Sequence, residues 1–128
     1  MKVLLVDDDE DIRVICRLSL QTVGKCRVLV ADGGPAALAL AIAERPDVVL
    51  LDVMMPGQDG LATFAALRGD PRTAEIPVIL MTAKAQPREV ERFLALGVSG
   101  VIAKPFNPLL LTEEIETIVR GARKGSSP

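Results

Sequence analysis

Four places in this sequence carry residues that could do chemistry together. Asp7, Asp8 and Asp9 follow the apolar run Val3 to Val6, and Asp52 follows Val48 to Leu51. Thr82 follows the run Pro77 to Met81, and Lys104 follows Gly100 to Ala103. If Asp7, Asp8 and Asp52 converge, the three carboxylates repel one another and raise each other's pKa. A hard divalent cation relieves that repulsion. Mg²⁺ takes near-octahedral oxygen coordination from a few carboxylates, waters and phosphate oxygens, and Mn²⁺ suits the same donors. Such an ion would also neutralise charge on an incoming phosphoryl group. Asp52 is then a candidate carboxylate nucleophile that forms an aspartyl phosphate. Thr82 supplies a hydroxyl and Lys104 a cation for the phosphoryl oxygens, which is the positioning and electrostatic work that phosphoryl transfer needs.

Each residue also has an ordinary reading. An aspartate after a strand often caps the next helix, and for Asp7 or Asp8 alone the two readings are evenly matched. Asp9 is read as a cap only. A lone aspartate at a strand end is commonly a turn residue. Thr82 is good β-branched strand material, and Lys104 alone would be a solvated charge. The specificity lies in four strand ends carrying the required groups at once.

The elements that must position these groups alternate in type. Val3–Val6, Arg27–Ala31, Asp47–Leu51, Pro77–Met81 and Gly100–Ala103 are short β-type runs. Between them lie helical patterns: Ile12, Ile15, Cys16 and Val23 at helical spacing, capped by Asp9 or Asp11 and closed by Gly24. A second helix runs from Pro35 to about Arg45 and stops at Pro46. A third spans about Leu61 to Arg68, after the loop Pro56-Gly57-Gln58-Asp59-Gly60 and before the break Gly69-Asp70-Pro71. A fourth spans Pro87 to Leu96, and the last about Pro108 to Arg120. A βα unit repeated five times implies a parallel sheet with helices on both faces, a doubly wound α/β fold. Ligands in such sheets sit at the carboxyl ends of the strands, where the acidic groups lie.

At 128 residues the chain suits one domain, residues 1–120, followed by a polar tail, 121–128, read as flexible or as a linker. Fifteen basic and seventeen acidic residues give a net charge of −2, so no broad electrostatic attraction to nucleic acid or anionic membrane is expected. The first apolar run is too short for an export-signal core or a membrane span, and the chain is read as cytoplasmic. A reducing cytoplasm argues against a Cys16–Cys26 disulfide. The absence of histidine excludes Ser-His-Asp and Cys-His nucleophilic chemistry, and with only two cysteines a zinc site is not expected.

Val6-Asp7-Asp8, Leu51-Asp52-Val53-Met54-Met55-Pro56-Gly57-Gln58-Asp59-Gly60, Met81-Thr82-Ala83 and Lys104-Pro105-Phe106 resemble the motif set of bacterial two-component receiver domains. The resemblance covers residues 1 to 120, in the family's order and spacing. It implies a flavodoxin-like sheet of order 2-1-3-4-5. It implies a signalling protein, not an enzyme on external substrates, that accepts a phosphoryl group on Asp52 from a histidine kinase or phosphotransferase and passes the signal to an output protein or domain. It also implies that Asp8, Asp52 and the Met54 backbone carbonyl bind Mg²⁺, with Asp7 acting through water. Thr82 and Lys104 would hold phosphoryl oxygens, and the Lys104-Pro105 bond would be cis. The family usually carries an aromatic residue three positions before the lysine; here that position is Val101.

Two other readings compete. A haloacid-dehalogenase-like phosphatase or phosphotransferase also uses a strand-end aspartate with Mg²⁺. It usually carries a second aspartate two residues later, where this chain has Met54. A flavodoxin-like cofactor binder would want a Ser/Thr/Gly-rich phosphate loop after the first strand, where three aspartates stand instead.

Overall fold

The computed structural model describes residues 1–55 and 58–125. Five parallel strands form one sheet: β1 (Lys2–Val6), β2 (Arg27–Ala31), β3 (Val48–Asp52), β4 (Val78–Thr82) and β5 (Gly100–Ala103). Their order across the sheet is β2-β1-β3-β4-β5, as the resemblance implies. The helices are α1 (Glu10–Thr22), α2 (Gly34–Glu44), α3 (Gly60–Gly69), α4 (Pro87–Ala95) and α5 (Leu111–Gly125).

The central strands are apolar on both faces because both faces are covered. Alternation along each strand sorts the side chains into two cores. Leu4, Val6, Val49, Leu51, Val78 and Leu80 pack with Ala37 and Ala41 of α2, Phe64 and Leu67 of α3, and Phe93 of α4. Val3, Leu5, Val48, Leu50, Ile79, Met81 and Ile102 pack with Cys16 and Leu20 of α1 and Leu111, Ile115 and Val119 of α5.

Local chemistry fixes the ends. Asp9 caps α1, its Oδ1 accepting from the amides of Asp11 at 2.9 Å and Ile12 at 3.3 Å. Arg45 ends α2 in the left-handed region at φ 47°, a common conformation at a helix C-terminus, and Pro46 prevents the helix from resuming. Gly97 follows α4 at φ 105°, which a side chain disfavours. The Lys104-Pro105 bond is cis.

Two expectations need correction. The last helix begins at Leu111 instead of Pro108, because Asn107 folds the chain into a turn first: its Oδ1 accepts from the Leu109 amide at 2.9 Å and its carbonyl from the Leu110 amide at 3.0 Å. The helix then continues to Gly125, past the expected end at Arg120. Ala122, Arg123 and Lys124 are good helix formers, and one glycine at position 121 costs only about 1 kcal/mol. Residues 126–128 of the expected tail lie outside the described residues. Within the expected loop at 56–60, Gln58–Asp59 pairs with the preceding Met54–Met55 as a short antiparallel ladder and Gly60 already belongs to α3, while Pro56 and Gly57 lie outside the described residues.

Candidate functional site

Strand register brings the site together. Val6 pairs with Leu51, so one step further Asp7 comes beside Asp52. Asp52 pairs with Met81, and Thr82 pairs with Ala103, the residue before Lys104. Alternation then divides the groups by face. Asp7, Asp52 and Lys104 continue the rows that face α1 and α5; Thr82 continues the row that faces α2, α3 and α4.

Asp7 is fully buried and bonded at every polar group. Its amide donates to the Ala31 carbonyl at 3.2 Å, and its Oδ1 accepts from the Asp9 amide at 2.9 Å. Its Oδ2 accepts from Lys104 Nζ at 3.0 Å, and its carbonyl from Arg13 Nη1 at 2.8 Å. The same Lys104 Nζ lies 3.2 Å from Asp52 Oδ1, which also accepts from the Met54 amide at 3.2 Å. Asp8 is exposed, and its carboxylate has no hydrogen-bond partner among the described residues. One carboxylate oxygen from each of Asp7, Asp8 and Asp52 lies within 4.8 Å of the other two.

Burial pushes the Asp52 carboxyl above the usual carboxylate range, and the charge of Asp7 adds to the effect; Lys104 and the Met54 amide oppose it without cancelling it. Burial alone would lower the Lys104 ammonium. The hydrogen bond and charge of Asp7, then those of Asp52, outweigh burial and hold it above the ordinary lysine range. One ammonium among three carboxylates leaves the pocket anionic. An all-oxygen donor set with unneutralised charge fits a hard divalent cation such as Mg²⁺.

Thr82 is buried at the rim, and its Oγ1 accepts from the Lys84 amide at 2.9 Å. Its hydroxyl makes no hydrogen bond to Asp52 or Lys104 among the described residues, although the Lys104 amide donates to the Thr82 carbonyl at 2.9 Å. Asp7, Asp8, Asp52 and Lys104 are therefore assembled as a group, with Thr82 beside them on the other face of the sheet. Three contributors escaped the reading of the sequence. Arg13 reaches back six residues to the Asp7 carbonyl. Cys16 is buried on the same face as Asp7. Gly60 lies so close to the Asp52 carbonyl that a Cβ there would also come within 2.8 Å of Val53 Cα. Of these only the glycine carried a visible signal, as the end of a loop motif.

A family model described as the response regulator receiver domain matches residues 3–116. The chain belongs to the response-regulator receiver family. The Pseudomonas aeruginosa chemotaxis protein CheY is 35% identical over 118 residues, covering 92% of this chain and 95% of that protein. The phosphate regulon transcriptional regulatory protein PhoB of the same species is 33% identical over 126 residues, 98% of this chain and 54% of its own. The structure of the Vibrio cholerae chemotaxis response regulator CheY4 superposes with a TM-score of 0.83 at 34% identity, covering 91% of this chain and 97% of that one.

This receiver thus spans about half the length of several of its curated relatives. Those relatives include transcriptional regulators, which do not fit the expectation of a protein with no nucleic-acid partner. The net charge of a receiver does not report on the remaining half of such proteins. The haloacid-dehalogenase-like alternative finds no support in these likenesses. No described helix is long and apolar enough to cross a membrane.

Proposed function

We propose that Asp52 is the phosphoacceptor of this receiver and that it works with Mg²⁺ or Mn²⁺. The observation that carries the reading is the convergence of Asp7, Asp8 and Asp52 within 4.8 Å, with Lys104 Nζ at 3.0 Å from Asp7 and 3.2 Å from Asp52. Asp8, Asp52 and the Met54 carbonyl would hold the ion, with Asp7 reaching it through water. When bound, the ion supplies charge neutralisation for the phosphoryl oxygens and holds the donor in place.

The chain's own residues do the rest. Asp52 Oδ2 accepts no hydrogen bond among the described residues and is free to attack phosphorus. With a phosphohistidine of a histidine kinase or phosphotransferase as donor, the new bond is Asp52 O–P. The bond that breaks is N–P, its electron pair staying on the imidazole nitrogen, which takes a proton from solvent. Lys104 stays protonated and turns from the carboxylates to a phosphoryl oxygen. The Thr82 hydroxyl, engaged with the Lys84 amide, takes another phosphoryl oxygen once the loop 82–86 moves.

On this reading the receiver catalyses only its own phosphorylation and dephosphorylation and signals by altered contacts with an output partner. The receiver domain takes in β1 through α5, so its boundary lies no earlier than Gly125 instead of at the expected Arg120. A cytoplasmic setting agrees with Cys16 and Cys26 being free thiols. The test is labelling by a small phosphodonor with and without divalent ion. Acetyl phosphate with Mg²⁺ should label the wild type; excess EDTA or Asp8→Ala should prevent it. Undiminished labelling in EDTA would refute the metal assignment.

A further inference from the structure

Asp8 differs from the other two carboxylates of the cluster. Asp7 and Asp52 are each held by Lys104 and by a backbone amide. Asp8 is exposed and has no hydrogen bond of its own among the described residues, yet its oxygen still lies within 4.8 Å of the others. Something other than the Asp8 side chain must fix its direction.

The peptide that joins Asp7 to Asp8 supplies it. On the other side of the Asp7 Cα, the Asp7 amide is tied to the end of β2 through the Ala31 carbonyl at 3.2 Å. The carbonyl of the Asp7–Asp8 peptide is that of Asp7, a fully buried residue just beyond the sheet, and accepts from Arg13 Nη1 at 2.8 Å. The Arg13 amide closes the first turn of α1 on the Asp9 carbonyl at 3.0 Å. One half-buried arginine therefore spans the turn, with its backbone in the helix and its guanidinium on the strand end. Removing the side chain leaves a buried carbonyl without a donor and lets that peptide plane rotate. A rotation there swings Asp8 away from Asp7 and Asp52.

We propose that Arg13 is a positioning residue that sets divalent-ion affinity by fixing the Asp7–Asp8 peptide, and so the direction of the Asp8 carboxylate. This rests on the reading of the carboxylate cluster as an Mg²⁺ site. Outer-shell partners of this kind commonly change metal affinity by about 10- to 100-fold. The guanidinium charge acts in the opposite sense, since a cation near the cluster repels a second one. The geometry gives the anchoring effect the upper hand, because one donor holds a buried acceptor while the charge is partly solvated.

The experiment is Mg²⁺ titration of the full chain by calorimetry, with wild type, Arg13→Met and Arg13→Lys. Arg13→Met should bind Mg²⁺ about tenfold more weakly. Arg13→Lys, which keeps a long side chain with a terminal donor, should recover most of the loss. In acetyl phosphate labelling, the Mg²⁺ concentration for half-maximal rate should rise in Arg13→Met while the plateau rate holds. If Arg13→Met does not fold, Arg13→Gln, whose amide is too short to reach, replaces it under the same criterion. A folded variant that melts lower but keeps wild-type Mg²⁺ affinity shows a structural role only and overturns the proposal. So does tighter binding. No Mg²⁺ binding by the wild type would instead bring down the metal reading beneath it.

Discussion

Lys104 Nζ stands 3.2 Å from Asp52 Oδ1, and that ammonium is shared with Asp7 at 3.0 Å. One cation thus serves two buried carboxylates that lie side by side, and Asp52 remains above its ordinary pKa in spite of it. The pocket is under electrostatic strain that an added cation, or loss of one negative charge, would relieve.

The strain predicts that Asp52→Asn stabilises the metal-free chain. The folded carboxyl favours its protonated form more than the unfolded one does. Asp52 therefore costs no stability below the unfolded value, near pH 4, and the cost grows as pH rises through the folded value. At pH 7 Asp52→Asn should melt a few degrees above wild type, about 1 kcal/mol. Mg²⁺ should raise the wild-type midpoint and leave the variant nearly unchanged. Calorimetric melts with and without Mg²⁺ check both; a variant that melts lower would show that Asp52 is a net stabilising partner of Lys104.

Burial pushes the Cys16 thiol up to about 12, with Asp7 adding to the shift and Lys104 opposing it. The unfolded thiol ionises near pH 8.5, so above that pH the unfolded chain loses a proton that the folded one keeps. Stability should fall from about pH 8.5 upward, and the fall should be shallower in Cys16→Ala. Native chain at pH 8 should resist iodoacetamide at Cys16 and react there once unfolded. Rapid alkylation of the native thiol would contradict its burial.

Gly60 is in contact with the backbone of Asp52 and Val53, where a Cβ has no flexible neighbour to displace. Gly60→Ala should cost about 2 kcal/mol by overpacking and should slow phosphorylation by shifting Asp52. Urea unfolding and labelling rate measure the two effects. Wild-type values for both would mean that the β3–α3 connection yields freely.

Val101 and Thr82 face the same side of the sheet, since Val101 pairs with Leu80 and packs against the α2, α3 and α4 core. Val101 is short and stiff at χ1, so it cannot sweep between a buried and an exposed position as an aromatic ring would. With a beryllofluoride phosphoryl mimic, amide shifts should concentrate in residues 82–86, with smaller changes at Val101 and α5. Val101→Tyr should enlarge the latter. Equal changes in both proteins would show that no ring is needed.

Much of this was legible in the sequence. The five apolar runs gave the strands, and the polar residue closing each run gave the site, because alternation and register turn strand ends into neighbours. The pairing of Asp7 with Asp52 needed only β1 beside β3. What was hidden depends on direction and not on pattern. The Asn107 side chain delays α5 by forming a turn. Arg13 sits on an ordinary helix face, and nothing in its spacing marks a guanidinium that reaches back to Asp7. Cys16 reads as one more apolar helix position, although it lies on the same face of the sheet as the acidic pocket.

The measurement that bears most directly on the account is the intact mass of the chain after incubation with acetyl phosphate and Mg²⁺, for wild type and Asp52→Asn. The wild type should gain one phosphoryl group, lost again in alkali as an acyl phosphate is, and Asp52→Asn should gain none. Full labelling of Asp52→Asn, or no labelling of a folded wild type that binds Mg²⁺, would contradict the assignment of Asp52 as the phosphoacceptor.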